Sequence, residues 1–365
     1  MSTRQRIGIA GAGVLGRLAA WTLARQGHQV SVFDPAAGPD PSFDGQGAAG
    51  FTAAGMLSPL AELDGADSDV AHRGWHSITR WAEVMRTLGT LMPEPPHFKL
   101  AGSLMVAHGP DLGAARRVLA HLDAGAQHWP HQAEALTPAA LAELEPALHG
   151  SQGPLHAWLL PGEGSLCTVG TLKALQHTAP EVSWHWRTRV DEVGPGVLHS
   201  TALEDEARST YRFDWVFDTR GCGARPDLPV RGVRGEVVWL HAPGVRLHRP
   251  IRLLHPRYRV YLVPRPGDVI VVGASELESE DRSPVSLRSA VELMAAAHSI
   301  VPELAEARIL RLDRNLRPAL PDNRPHCAVT PGLVRLNGLY RHGWLLAPSL
   351  LDEGLAQTPL MVEAA

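Results

Sequence analysis

The residues best suited to chemistry stand near the start of the chain. They are Gly11-Ala12-Gly13-Val14-Leu15-Gly16, with Asp34 placed 18 residues beyond the last glycine. Glycines at this spacing suit a dinucleotide. The first permits a tight turn, the second lets backbone approach a pyrophosphate, and the third lets helix and strand pack closely. A helix starting at Val14 and Leu15 would offer N–H groups and a positive dipole end to phosphates. Asp34, near the expected spacing of about 20 residues, would accept hydrogen bonds from ribose hydroxyls. The alternative is a glycine-rich turn in an α/β fold that binds no nucleotide.

Three elements must position this turn. Ile7-Gly8-Ile9-Ala10 reads as a strand, Arg17 to Ala24 as a helix, and Val30 to Phe33 as a second strand. Further along, Gly47 to Pro59 is crowded with small residues, including Ala54, Gly55 and Met56. They suit either close approach to something bulky and flat or simple helix packing. Apolar residues at three- and four-residue steps predict a helix over 70–88. Other helices are expected at 111–123, 138–145, 168–178 and 286–299. Strands are expected at 104–107, 182–186, 189–193 (with Val190), 211–218 and 333–340, and the apolar run 309–312 leads on to Asn315. The strand at 211–218 runs into a second glycine turn at Gly221, and strand C-terminal ends face the ligand in a dinucleotide-binding sheet. Successive strands at 232–240, 258–265 and 268–273 predict an antiparallel sheet and hence a second domain.

The bulk numbers narrow the class. With 365 residues, 44% of them hydrophobic, the chain can hold two domains and a large core. A formal net charge of −4 gives no nucleic-acid footprint. No signal peptide and no membrane-spanning run are read, so a cytoplasmic location is expected. The three cysteines, Cys167, Cys222 and Cys327, are far apart. They read as small buried hydrophobes in a reducing compartment, without zinc or disulfides. His121, His128 and His131 lack metal-ligand spacing and read as exposed polar residues; no metal site is expected.

Several blocks together, in order and spacing, resemble the D-amino-acid oxidase family of flavoproteins, and within it the glycine oxidases of bacterial thiamine biosynthesis. They are the N-terminal fingerprint, Ala53 to Pro59, Val233-Arg234-Gly235-Glu236, Tyr261 to Arg265, Val272 to Ser275, Leu316-Arg317-Pro318 and Tyr340 to Pro348. The match is poor over 60–150. The resemblance implies an α/β fold with a Rossmann-like FAD-binding domain and a substrate domain with a mostly antiparallel sheet. The expected division is 1–75, 150–225 and 308–365 for FAD, and 76–149 and 226–307 for substrate. It implies noncovalent FAD, held also by Val190, Gly221, His342 and the backbone of Gly55-Met56 and Gly343-Trp344-Leu345. Arg317 matches the arginine that pairs with a substrate carboxylate, Tyr261 a tyrosine that also reaches it, and Arg341 an arginine lining the same cavity. Read without the resemblance, Arg317 is an ordinary surface arginine and Tyr261 a core aromatic. Arg341 divides evenly between binding substrate and holding the flavin region or a loop carboxylate.

The implied activity is oxidative deamination of glycine or a small amino acid. Hydride passes to FAD, and molecular oxygen reoxidises it to give hydrogen peroxide. The imine is hydrolysed to an oxo acid or handed to a thiazole synthase. A homo-oligomer is allowed. The competing readings are a D-amino-acid dehydrogenase, a sarcosine-type amine oxidase, and an oxidase of a tRNA aminomethyl group. One position departs from the family pattern: Glu276 stands where the better-known glycine oxidases place a methionine. A carboxylate there would repel the substrate carboxylate or bind its ammonium; within the acidic run Glu276 to Asp281, the favoured expectation is that Glu276 turns to solvent.

Overall fold

A six-stranded sheet grows around the fingerprint strand. Arg6–Ala10 is flanked in parallel by Gln29–Phe33 and Trp215–Asp218. Ser183–His185 and Leu333–Asn337 extend it in parallel, and His326–Thr330 closes one edge antiparallel. The central strands are buried on both faces, hence their continuous apolar runs. Helices Val14–Arg25, Thr168–His177 and Gly343–Ala356 share one core with Ile7 and Ile9. An antiparallel meander of Thr188–Gly194, Val197–Ala202 and Arg208–Arg212 packs through Val190 and Leu198 against Phe33 and Val216.

This is a computed structural model, describing residues 4–63, 67–124, 126–148, 154–255 and 259–361. The expected boundary at 149/150 and Tyr258 lie outside the described residues.

An eight-stranded sheet stands beside the first. Its order is Arg308–Ala319, Arg231–His241, Val269–Gly273, Arg259–Arg265, Ile251–Leu254, Ser103–His108, Leu155–Leu160 and Glu134–Leu136. All neighbours are antiparallel except Ile251–Leu254 with Ser103–His108. Helix Leu287–Ile300 packs on it through Leu293 and Ala297 against Val238 and Leu262. The long helix Ser68–Leu91 begins at Asp67, whose carboxylate accepts the Asp69 N–H at 3.1 Å. It packs on Gly343–Ala356, where buried Trp81 donates to the Trp344 carbonyl at 2.8 Å. The fold is thus α/β, with mixed sheets beside a largely antiparallel one.

Two expectations change in detail, and further strands appear. The run 211–218 is two strands, because its halves join different sheets; Asp214 at the break exchanges bonds with Arg6. The short run at 309–312 belongs to one twelve-residue strand, Arg308–Ala319, which carries Pro318 on the sheet edge, where a missing N–H is tolerated. The final strand ends at Asn337, and Tyr340–His342 forms a helical turn. Ile251–Leu254 and His326–Thr330 are short strands without a strong pattern of their own.

Candidate active site

One cavity of about 1790 Å³ runs from the C-terminal ends of the parallel strands to the eight-stranded sheet. Of the residues expected at a site, Gly11, Gly13, Val14, Leu15, Asp34, Ala54, Gly55, Met56 and Val190 line it. So do Gly221, Tyr261, Arg317, Arg341, His342, Gly343, Trp344 and Leu345. Gly16 stands behind the wall: a Cβ there would lie 1.8 Å from the Gly11 carbonyl oxygen.

At the fingerprint end the backbone itself is the binding surface. Gly11 has φ of +97°, and a Cβ would strike the Thr219 carbonyl. Gly13 is different. A Cβ there would meet only Ala48, at 3.9 Å, so this backbone faces open cavity. The helix that follows has no side-chain cap. Asp34 accepts the Ala12 and Ala36 N–H groups at 2.6 and 2.8 Å, and burial pushes its carboxyl up. Each oxygen keeps a second lone pair for a hydroxyl donor.

Arg17, not singled out in the sequence, braces this turn. It is 1% exposed and donates to the carbonyls of Ala12, Leu172 and Pro39 at 2.9, 3.0 and 2.9 Å. Burial lowers its pKa to about 10. The only cue was an arginine directly after the third glycine, inside an apolar helix.

Along the middle of the cavity, Gly55 adopts φ of +66°, and a Cβ would lie 2.5 Å from the Leu166 carbonyl. Trp344 donates to the Gly50 carbonyl at 3.0 Å, and Asn315 to that of Gly47 at 3.0 Å. The loop before them is clamped from the other sheet. The Arg311 guanidinium lies between the Phe43 and Trp239 rings, 3.6 and 3.8 Å from their centroids. Arg282 donates to the Gly45 carbonyl. Helix Gly343–Ala356 opens on the cavity, also without a side-chain cap.

The far end is charged. Arg317 is half-buried, donating to the carbonyls of Ser275 and Arg234 at 3.0 and 3.4 Å. Among the described residues no carboxylate pairs with it. Burial lowers its pKa. Gly235 makes room for it: a Cβ would lie 2.4 Å from the guanidinium carbon. Tyr261 stands opposite Gly273, where a Cβ would lie 2.7 Å from the phenol oxygen, and burial pushes the phenol up.

Arg341 holds loop carboxylates. It pairs with Glu62 at 3.4 Å and with Glu276 at 3.0 Å. Glu62 also meets Arg252 at 3.1 Å and His342 at 3.0 Å. Burial alone would raise the Glu62 pKa, but Arg341, Arg252 and His342 together hold it well below the usual carboxylate range. Glu62 carried no motif in the sequence. Its neighbour Glu163 is buried, accepting from the Leu60 and Ala61 N–H groups at 2.6 and 3.2 Å and from the Ser103 hydroxyl. Burial raises Glu163 to about 7.

Glu276 is exposed, as expected, and it also stands on the cavity wall. Its side chain is 43% exposed, yet it accepts from the Tyr340 hydroxyl at 2.5 Å and from Arg341 at 3.0 Å, on the cavity wall. The backbone gives the reason. Leu277 exchanges both hydrogen bonds with Arg234, and the Ser275 N–H donates to the Glu236 carbonyl, so residue 276 is pinned between them. The rest of the acidic run is paired with Arg225, Arg231 and Arg234.

The cysteines are free and half-buried, and Cys222 lines the cavity. His121, His128 and His131 are exposed, His131 lying 5.4 Å from the Trp75 ring. Among the described residues, no group of three or more His, Cys, Asp or Glu side chains could hold a metal, and no helix is long and apolar enough to cross a membrane.

A glycine turn open to phosphate, two uncapped helix starts and a cavity of this size fit a flavin dinucleotide. Residues 6–350 match the family described as FAD dependent oxidoreductase, and the chain belongs to that family. It is an FAD-dependent oxidoreductase of the D-amino-acid oxidase type. The chain is 35% identical over 349 residues to a putative thiamine biosynthesis oxidoreductase ThiO of Rhizobium etli, covering 95% of this chain and 94% of that one. It is 26% identical to a bifunctional protein ThiO/ThiG of Nostoc, covering 93% of this chain and 50% of that protein. The structure of glycine oxidase from Geobacillus kaustophilus superposes with a TM-score of 0.82 at 23% identity, over 99% of this chain and 96% of that one.

Two predictions follow from this geometry. Gly13→Val meets no obstacle in the apoprotein, so its melting temperature should match wild type. FAD affinity should fall at least about tenfold, the equivalent of 1.4 kcal/mol; a variant that purifies fully flavin-loaded would contradict the role of this backbone. Glu163 titrates near 7 when folded against an ordinary 4.5. The folded protein therefore keeps a proton that the unfolded chain releases, and this contribution is full below about pH 4.5 and lost as pH rises to about 7. Glu163→Gln should gain stability relative to wild type on moving from about pH 5 to about pH 8 in urea denaturation. A pH-independent difference would show that Glu163 does not titrate in this range.

Proposed function

We propose that this protein oxidises the α-carbon of glycine or another small amino acid. The observation that carries the reading is Arg317: a half-buried cation on the cavity wall whose described partners are backbone carbonyls. A substrate carboxylate would complete it. A bidentate, charge-assisted pair contributes roughly 1.5–3 kcal/mol per bond. Tyr261, at the same end of the cavity, would add a phenol donor to that carboxylate. Its raised pKa keeps it protonated for that task. The carboxylate anchor fixes the α-carbon, and fixing it is a proximity effect.

FAD held here would supply a hydride acceptor for that carbon and a route to molecular oxygen, with hydrogen peroxide as the product. The protein supplies position and electrostatics. The fingerprint turn, Asp34 and the first turn of Val14–Arg25 would hold the dinucleotide. Gly55-Met56 and Gly343-Trp344-Leu345 would surround the flavin ring, and Val190 and Gly221 would complete the dinucleotide wall. On this reading the six-stranded sheet carries cofactor and the eight-stranded sheet carries substrate. The ThiO relatives support thiamine biosynthesis as the setting. The bifunctional relative supports passing the imine to a thiazole-forming partner; otherwise water converts it to an oxo acid and ammonium.

The test is the absorption spectrum of the purified protein under anaerobic glycine, followed by air. Bleaching of the flavin band and peroxide release on reoxidation are expected. A band that glycine, sarcosine and D-alanine all leave intact would reject the reading. Arg317→Met should retain FAD and lose kcat/KM on glycine by about two orders of magnitude or more, from the loss of two such bonds. An unchanged kcat/KM would remove Arg317 from the substrate site.

A further inference from the structure

Among the described residues, the charged end of the cavity keeps one arginine without a carboxylate partner. Arg317, Arg341 and Arg252 meet two carboxylates, Glu62 and Glu276, on its wall. Arg252 is paired with Glu62, and Arg341 lies between Glu62 and Glu276. Arg317 remains as the cation without a carboxylate among the described residues. Among the described residues, these three arginines and two carboxylates leave one positive charge.

We propose that Glu276, held on Arg341 and Tyr340, makes the substrate pocket selective for amines with one carboxylate and excludes those carrying a second. The inference rests on the amino-acid oxidase reading above. A second carboxylate that reached past Arg317 would find Arg341 already engaged on both sides. It would also approach the Glu276 charge directly, and like charges in a partly desolvated site repel.

The geometry makes this charge a fixed feature of the wall. Tyr340 donates to one Glu276 oxygen and Arg341 to the other. Tyr340 reaches it from a left-handed backbone, φ +49°, a conformation uncommon for a non-glycine residue. Burial and the bond to Glu276 push the Tyr340 phenol up to about 12, so it remains a donor at neutral pH. Residues 275 and 277 are pinned to the strand that also passes under Arg317. The side chain is thus fixed at the same end of the cavity as the carboxylate anchor, and excludes by charge without blocking by bulk.

Two ether ligands separate the effect from size and amine chemistry. Methoxyacetate has one carboxylate; diglycolate has the same frame with a carboxylate at each end. Calorimetric titration of the flavin-loaded wild type should show methoxyacetate binding at least about tenfold tighter than diglycolate, a preference of 1.4 kcal/mol. Glu276→Gln keeps an acceptor for Tyr340 and removes the charge. In that variant diglycolate should tighten by about tenfold while methoxyacetate changes little. Glu276→Asp, which keeps the charge, should retain the wild-type preference and covers the case of a poorly folding glutamine variant. Turnover should follow binding: the kcat/KM ratio of D-aspartate to D-alanine rises in Glu276→Gln through KM. A diglycolate-to-methoxyacetate ratio that is unchanged in Glu276→Gln overturns the proposal. If methoxyacetate still binds wild type and is lost in Arg317→Met, the oxidase reading survives that failure. If neither ligand binds wild type, both readings fall together.

Discussion

The Glu62 carboxylate is the constraint around which the charged half of the site is assembled. Its side chain is 17% exposed, and a carboxylate so far withdrawn from water is tolerated only when its partners outweigh desolvation. Here they do, and they come from two separate parts of the chain: Arg252 from an inner strand of the large sheet, and Arg341 and His342 from the turn before the terminal helix. One residue therefore joins the helix-covered sheet, the antiparallel sheet and the last helix at the cavity wall. Glu163 supports it from behind, accepting N–H groups from the short turn that carries Glu62.

The same economy of charge explains why Arg317 stands apart from the other arginines. The acidic run after Ser275 is distributed among Arg225, Arg231, Arg234 and Arg341. Arg317 is reserved from that pairing by position. Its guanidinium lies over Gly235 and takes carbonyl oxygens, which orient it without neutralising it. A cation prepared in this way needs little reorganisation when an anion arrives, which is the condition for electrostatic preorganisation.

How much of this was legible in the sequence depended on whether the cause was local. The fingerprint was, because Gly11 and Gly55 answer to backbone geometry that only their own residue type supplies. Helices with a clear apolar period, such as Ser68–Leu91, were also legible, within a few residues at each end. Arg317 and Tyr261 drew attention through resemblance alone; nothing in their neighbours' types separates them from other arginines and strand aromatics. Glu62, Arg17 and Gly235 escaped because their roles are created by residues far along the chain. The run 211–218 was misjudged for a related reason: its pattern is continuous, and only the competition of two sheets for its halves breaks it. Glu276 was expected in solvent because its acidic neighbours are exposed. It is exposed, and the hydrogen bonds that pin residues 275 and 277 also place it on the cavity wall.

The strand Arg308–Ala319 carries Arg311, which grips the loop that lines the fingerprint half of the cavity, and, six positions on, Arg317 at the opposite half. It is an edge strand, hydrogen-bonded to a sheet neighbour on one side only. A stiff beam fastened at both cargoes cannot slide for one and stay still for the other. Any free energy by which an occupant of the first compartment settles that strand is therefore returned, by thermodynamic reciprocity, to an occupant of the second.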